Sequence, residues 1–173
     1  MSAMAPVVVA PVFVAIGSNI DPGTRMLAAA RLLKANFPDA RFSACYRNTA
    51  FGFDGADFVN AVAGFSTALS VPELLQALHA IEAQCGRGRE DPKWGPRAMD
   101  LDLLLYGDQI GAGPGYELPR PDLVRRIYML GPLAELAPQL RHPVSGQTFG
   151  ALWAGFARGC QALPATPPDL NAA

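Results

Sequence analysis

Apolar and polar positions alternate in a way that assigns most of the chain to short elements. Residues 12–16 are β-branched or aromatic with little between them, and they read as a buried strand. Gly17-Ser18-Asn19 ends that run, and Asp21-Pro22-Gly23-Thr24 opens a helix over about 25–37. Leu27, Leu32 and Leu33 fall near helical spacing there, and the alanines favour helix. Residues 41–48 alternate and predict a strand; 50–57 are a glycine-containing loop; 58–66 predict a second strand pairing with the first through that short connection. Ser70 and Glu73 form a capping box, with Pro72 in the first turn. The helix they start carries Leu74, Leu75, Leu78, Ile81 and Glu82 and ends near Cys85-Gly86. Residues 86–96, with three glycines and two prolines, are a long loop of the kind used as a lid or binding loop, and 101–106 are a further strand. A glycine-rich turn region at 107–117 and helical pieces near 121–126, 131–137 and 147–158 follow.

The order β-α-β-β-α-β predicts an α+β fold. It is the ferredoxin-like sandwich, a mainly antiparallel sheet with helices on one face and mobile loops. No repeat or linker divides the 173 residues, so one domain is expected, with a core over about 12–160 and a loose Pro- and Ala-rich tail over about 162–173. Half of the residues are hydrophobic and 17 % are charged, which excludes disorder of the whole chain.

Charge and cysteine content narrow the function. The net charge of −1 offers no general attraction for nucleic acid or anionic membrane, so a polyanionic substrate needs a local basic cluster. Cys45, Cys85 and Cys160 are isolated, which fits free thiols in a reducing compartment. The apolar start has no basic residue before it and is broken by Pro6 and Pro11, unlike a secretory signal, and no apolar run reaches membrane-spanning length. A cytoplasmic location is expected.

The chemistry concentrates in Arg97-Ala98-Met99-Asp100-Leu101-Asp102-Leu103. On a strand, positions i and i+2 share a face, so Asp100 and Asp102 project together. Magnesium prefers such oxygen ligands, and two ions ~3.5–4 Å apart can be bridged by a carboxylate pair. Arg87, Arg89, Lys93 and Arg97 surround Trp94 just upstream, a set suited to gripping phosphate oxygens. A D-x-D pair also occurs at solvated strand edges, and a cluster of charges also forms solvated surface. No P-loop, dinucleotide fingerprint or HExxH motif is present, so nucleotide handling would fall to metal and arginine.

These residues closely resemble the 6-hydroxymethyl-7,8-dihydropterin pyrophosphokinase family. The resemblance rests on W-G-P-R-x-x-D-L-D-L within residues 86–103, on Ala15-Ile16-Gly17-Ser18-Asn19, on Phe58-Val59-Asn60-Ala61, and on blocks between Leu118-Pro119 and Ala137-Pro138. It covers roughly residues 12–140 and implies Mg²⁺-dependent transfer of pyrophosphate from ATP to the pterin hydroxymethyl group, leaving AMP, in folate biosynthesis. It further implies two Mg²⁺ ions on Asp100 and Asp102 and catalytic roles for Arg87 and Arg97. Glu82, Arg89, Trp94, Leu103, Arg120 and Arg126 would line the ATP site. Thr49, Phe51, Phe58, Asn60 and Tyr128 would hold the pterin, with Asn60 reading its amide edge and the two aromatic rings Phe58 and Tyr128 stacking on its faces. Asp102 is also a candidate to orient or deprotonate the substrate hydroxyl.

Two departures bear on detail. Arg120 stands where the family usually has histidine, and Asn48-Thr49 replaces a Thr-Pro pair. A paralogue acting on a modified pterin alcohol and a non-catalytic pterin- or nucleotide-binding relative are the alternatives. An RNA-binding ferredoxin-like domain would need stacked aromatics and a basic balance that the chain lacks. The expected partners are small molecules, without nucleic acid or membrane, acting on a monomer.

Overall fold

The structure is a computed structural model in which residues 7–49, 54–86, 96, 98–157, 165–166 and 168–173 are described. Strand β1 (Ala10–Ser18) leads to helix α1 (Pro22–Asn36), then β2 (Arg41–Phe42), β3 (Cys45–Asn48) and β4 (Phe58–Thr67). Helix α2 (Val71–Gln84) and strand β5 (Asp100–Tyr106) complete the βαββαβ order. Among the described residues the main sheet runs β5-β1-β4-β3-β8, with β2 also on β4, and β8 is Ala165–Thr166. All of these pairings are antiparallel. Strands β1 and β4 are central and almost wholly buried, which is why their sequences read as apolar runs. The fold is ferredoxin-like, as the element order predicts.

The expected strand over 41–48 is interrupted. Ser43 takes both the N–H and the C=O of Val62, accepting from Val62 N–H with its hydroxyl at 2.9 Å and donating its own N–H to the carbonyl at 2.9 Å. A side chain thus replaces one rung of the ladder and splits the strand in two.

Helices α1 and α2 pack on one face over Val12, Val14, Ile16, Leu101 and Leu103. The contact stripe of α1 is Met26, Ala29, Ala30 and Leu33, while Leu27 and Leu32 are only partly buried. Alanines at the contact let the helix backbone approach the sheet, a face that the leucine spacing alone misplaces. The capping box of α2 forms, with Glu73 accepting from Ser70 N–H at 2.8 Å, and Gly86 follows its C-terminus at φ 92°.

The second face of the sheet is covered as well, which the sequence reading did not anticipate. Helix α3 (Ile127–Leu136) and helix α4 (Phe149–Ala157) cover Phe13, Ala15, Val62 and Leu104. Helix α3 starts at Ile127 and not near 131, with Pro132 inside it. Pro132 has no N–H for the Tyr128 carbonyl, but that carbonyl lies in the first turn, where one missing bond interrupts little of the ladder. The turn region at 107–117 contains a small hairpin, β6 (Gly111–Gly113) with β7 (Tyr116–Leu118).

At the end of the tail, residues 168–173 pack against the core and the sheet edge. Leu170 is 1 % exposed in the α1/α2 core. The Asn171 side chain donates to Phe42 O at 2.8 Å and accepts from Phe42 N–H at 3.0 Å. Lys34 Nζ donates to the carbonyl of Asn171 at 2.7 Å. The short strand β2 leaves backbone groups unpaired at the sheet edge, and Asn171 satisfies them.

Candidate active site

Strand β5 fixes the acidic pair. Its burial alternates, with Leu101 and Leu103 in the α1/α2 core and Asp100 and Asp102 half-buried on the other side. The two carboxylates therefore share a face, as their spacing predicts. Glu82 holds the strand from behind: its carboxylate, 4 % exposed, accepts the N–H of Leu101 at 2.8 Å. Glu82 and Leu103 are thus packed on the α1/α2 side of the sheet, opposite the side to which Asp100 and Asp102 belong.

The same face continues across three strands. Gly17 pairs with Asp100 on one side and Asn60 on the other, and Ala15 pairs with Asp102 and Val62. Gly17 leaves a gap between them. A Cβ there would sit 2.9 Å from Asn60 Oδ1 and 3.9 Å from Phe58 Cδ1, so the Asn60 amide and the Phe58 ring both lean over this glycine. Asn60 is 7 % exposed, and its Nδ2 donates to Asn48 Oδ1. Asn48 Nδ2 in turn donates to the carbonyl of Thr49, an exposed residue, at 3.0 Å.

The segment after β7 closes the acidic end. Arg120 N–H bonds Leu104 O at 2.9 Å, docking the segment beside β5, and Leu123 is fully buried in the second core. The Arg120 guanidinium lies 3.4 Å from Asp102. Its Nε is buried without a hydrogen-bond partner among the described residues. Arg126 N-caps α3, and Tyr128 follows in the first turn. Burial raises the Tyr128 hydroxyl above its ordinary pKa, with Arg126 and Arg120 opposing and Asp122 and Asp102 adding to the rise. Tyr128 packs against the core that holds Ala15 and Val62, the neighbours in register with Asp102. Asp100, Asp102, Arg120, Arg126, Phe58, Asn60 and Tyr128 thus come from β5, β4 and the approach to α3 to one side of the sheet.

Arg87, Arg89, Trp94, Arg97 and Phe51 lie outside the described residues. The sequence reading missed several residues that shape the site. Gly17 provides the gap, and Asn48 holds Asn60. Ser18 Oγ donates to Ala98 O at 2.7 Å, and Asn19 Nδ2 to Ala56 O at 3.1 Å, tying the loops before β5 and β4 to the end of β1. Small polar residues directly after a buried strand were the available signal for these ties. Two carboxylates on one face suit a hard cation that keeps phosphate oxygens as further ligands. Among the described residues no group of three or more acidic, His or Cys side chains forms a closed protein cage for a metal. A separate cavity of about 390 Å³ between β3, α3 and α4, lined by Tyr46, Ile127, Glu135 and Trp153, contains none of the expected site residues. No helix among the described residues is long and apolar enough to cross a membrane.

Comparison with known proteins gives a consistent result. The family model for 7,8-dihydro-6-hydroxymethylpterin-pyrophosphokinase matches residues 13–138. The chain is 44 % identical over 139 residues to a 2-amino-4-hydroxy-6-hydroxymethyldihydropteridine pyrophosphokinase from Synechocystis, covering 79 % of this chain and 71 % of that protein. Against the protein of that name from Pseudomonas aeruginosa it is 41 % identical over 136 residues, covering 76 % of this chain and 83 % of the other. Among solved structures it is similar to Plasmodium falciparum HPPK-DHPS with pteroate, at a TM-score of 0.69 and 10 % identity over 87 % of this chain. A second structure of that protein, with pterin and p-hydroxybenzoate, gives 0.67 and 11 % over 88 %. This likeness concerns the fold alone, and the chain spans 43 % and 44 % of those two Plasmodium chains.

Proposed function

Because the chain belongs to the 7,8-dihydro-6-hydroxymethylpterin-pyrophosphokinase family, we propose that it transfers pyrophosphate from Mg²⁺·ATP to the hydroxymethyl group of 6-hydroxymethyl-7,8-dihydropterin, giving AMP and the pterin diphosphate. The observation that carries this reading is the row Asn60–Gly17–Asp100 across three paired strands. An amide able to read a flat heterocycle and an acidic pair able to hold a cation face the same side, with a glycine gap between them.

Asp100 and Asp102 are the residues that would hold magnesium, one or two ions, shared with the nucleotide's phosphates. Bound there, Mg²⁺ would offset phosphate charge and orient the triphosphate. The chain's own residues do the rest. Phe58 and Tyr128 would stack on the pterin, and Asn60 would fix its edge, setting the hydroxyl oxygen toward the β-phosphorus. That oxygen forms the new P–O bond as the bond to AMP breaks, with Asp102 proposed to take the hydroxyl proton. Charge grows on the phosphate oxygens and on the leaving AMP, and guanidinium groups stabilise it. Arg120 and Arg126 are proposed for this, together with Arg89 and the catalytic Arg87 and Arg97 of the segment before β5, while Trp94 would line the nucleotide site. Arg120 neutralises Asp102 at 3.4 Å and, with a buried Nε awaiting an acceptor, is suited to pass to a phosphate oxygen. Glu82 and Leu103 would serve the nucleotide site by fixing the backbone of β5, with Thr49 and Phe51 bordering the pterin. The reading takes the whole chain as one cytoplasmic, monomeric domain.

The test is incubation with ATP, Mg²⁺ and the pterin alcohol, resolving AMP from ADP. AMP with equimolar pterin diphosphate is expected, abolished by Asp102→Ala and by chelation. Formation of ADP, or turnover that survives Asp102→Ala, would refute the proposal.

A further inference from the structure

Resting on the pterin site proposed above, we infer that Asn48 is a positioning residue that fixes which way the Asn60 amide faces and so sets selectivity for the acceptor's hydrogen-bonding edge.

A primary amide can be turned by half a rotation, exchanging its oxygen for its NH₂ group at little steric cost. Its orientation must be imposed by a neighbour of fixed polarity. The Thr49 carbonyl is such a group, because a backbone carbonyl can only accept. It takes a hydrogen bond from Asn48 Nδ2 at 3.0 Å. Asn48 Oδ1 is thereby turned away from Thr49 and toward β4, where it accepts from Asn60 Nδ2. The polarity of one backbone carbonyl thus passes through two side chains. Asn60 Oδ1 is left over Gly17, 2.9 Å from where a Cβ would be, on the row that leads to Asp100. Asn60 is 7 % exposed, so a reversed amide would face oxygen against oxygen with little water to relieve it.

The consequence is chemical. With one N–H committed to Asn48, Asn60 keeps one acceptor and one donor in a set order. That order matches a ligand edge that pairs N–H with C=O, as in a lactam. An amidine edge, with ring nitrogen beside an amino group, presents the reverse. If Asn48 cannot hold it, Asn60 turns and serves either edge. Asn48 is half-buried at the end of β3, so its replacement leaves both cores untouched.

The experiment compares kcat/KM for 6-hydroxymethyl-7,8-dihydropterin and its 4-amino analogue, in which the lactam becomes an amidine. The proteins are the full chain, Asn48→Leu and Asn48→Asp. The parent should prefer the lactam by roughly a hundredfold or more. Asn48→Leu should cut that ratio about tenfold, the worth of one orienting hydrogen bond, chiefly through KM. Asn48→Asp, which keeps an acceptor toward Asn60, should retain the preference. An equal ratio in the parent and Asn48→Leu, equal losses in both variants, or no preference in the parent would overturn the inference. If the parent turns over neither alcohol, the pyrophosphokinase proposal fails by itself. Calorimetric binding of the two pterins then decides the role of Asn48 by the same ratios.

Discussion

Gly17→Ala adds a single methyl group at the centre of the candidate site. The new Cβ would lie 2.9 Å from Asn60 Oδ1, where ordinary van der Waals contact begins at 3.4 Å, so the amide must retreat by about 0.5 Å. Asn60 cannot do so freely, because its Nδ2 is held by Asn48. Retreat therefore displaces the one donor and the one acceptor that Asn60 would offer to ligand. Each is worth about 0.5–1.5 kcal/mol, so the pair is worth about 1–3 kcal/mol, or roughly 5- to 150-fold in affinity. Folding is little affected, since alanine relieves the entropic cost of a mid-strand glycine by ~0.5–1 kcal/mol and so offsets the crowding. The assay is calorimetric titration of the pterin alcohol beside a thermal melt. Gly23→Ala is the control: nothing lies within 4 Å of its Cβ, and it sits in the first turn of α1. It should leave affinity unchanged. Pterin binding by Gly17→Ala at parental affinity, with an intact melt, would refute the placement of acceptor over Asn60.

Further outcomes follow from the packing. Glu82→Ala leaves Leu101 N–H buried without its carboxylate and should destabilise the chain by roughly 2–4 kcal/mol in urea melts; Glu82→Gln, which retains an accepting oxygen, should cost clearly less. Equal urea midpoints for Glu82→Ala and the parent would contradict that anchoring role. Leu170→Ala should cost about 2 kcal/mol or more if the tail is docked, and nothing if it is loose, as a thermal melt will show. His142 titrates below 6.5 because burial disfavours its charged form, and its Nδ1 accepts from Val144 and Ser145 N–H. The unfolded chain then takes up the proton first. Stability should therefore fall as pH drops below 6.5 toward the lower folded value, and the slope should be shallower in His142→Gln. Identical slopes for the two proteins would exclude this contribution.

Much of this protein follows from local rules. Strand periodicity puts Asp100 and Asp102 on one side and Leu101 and Leu103 on the other, because adjacent side chains in a pleated strand must point in opposite directions. The capping box and the glycine after α2 fix that helix, because they satisfy backbone groups within a few residues. The pairing of β3 with β4 follows for a similar reason, since a short connection joins the two strands. What tertiary structure alone decided is contact between distant segments. Neither the covering of the second face by α3 and α4 nor the approach of Arg120 to Asp102 has a local signature. The same holds for the docking of Leu170 and Asn171 on a sheet edge, and for Asn48 turning the amide of Asn60 across a strand pair. Each costs chain entropy to make and is favoured only once the sheet has brought the partners within reach.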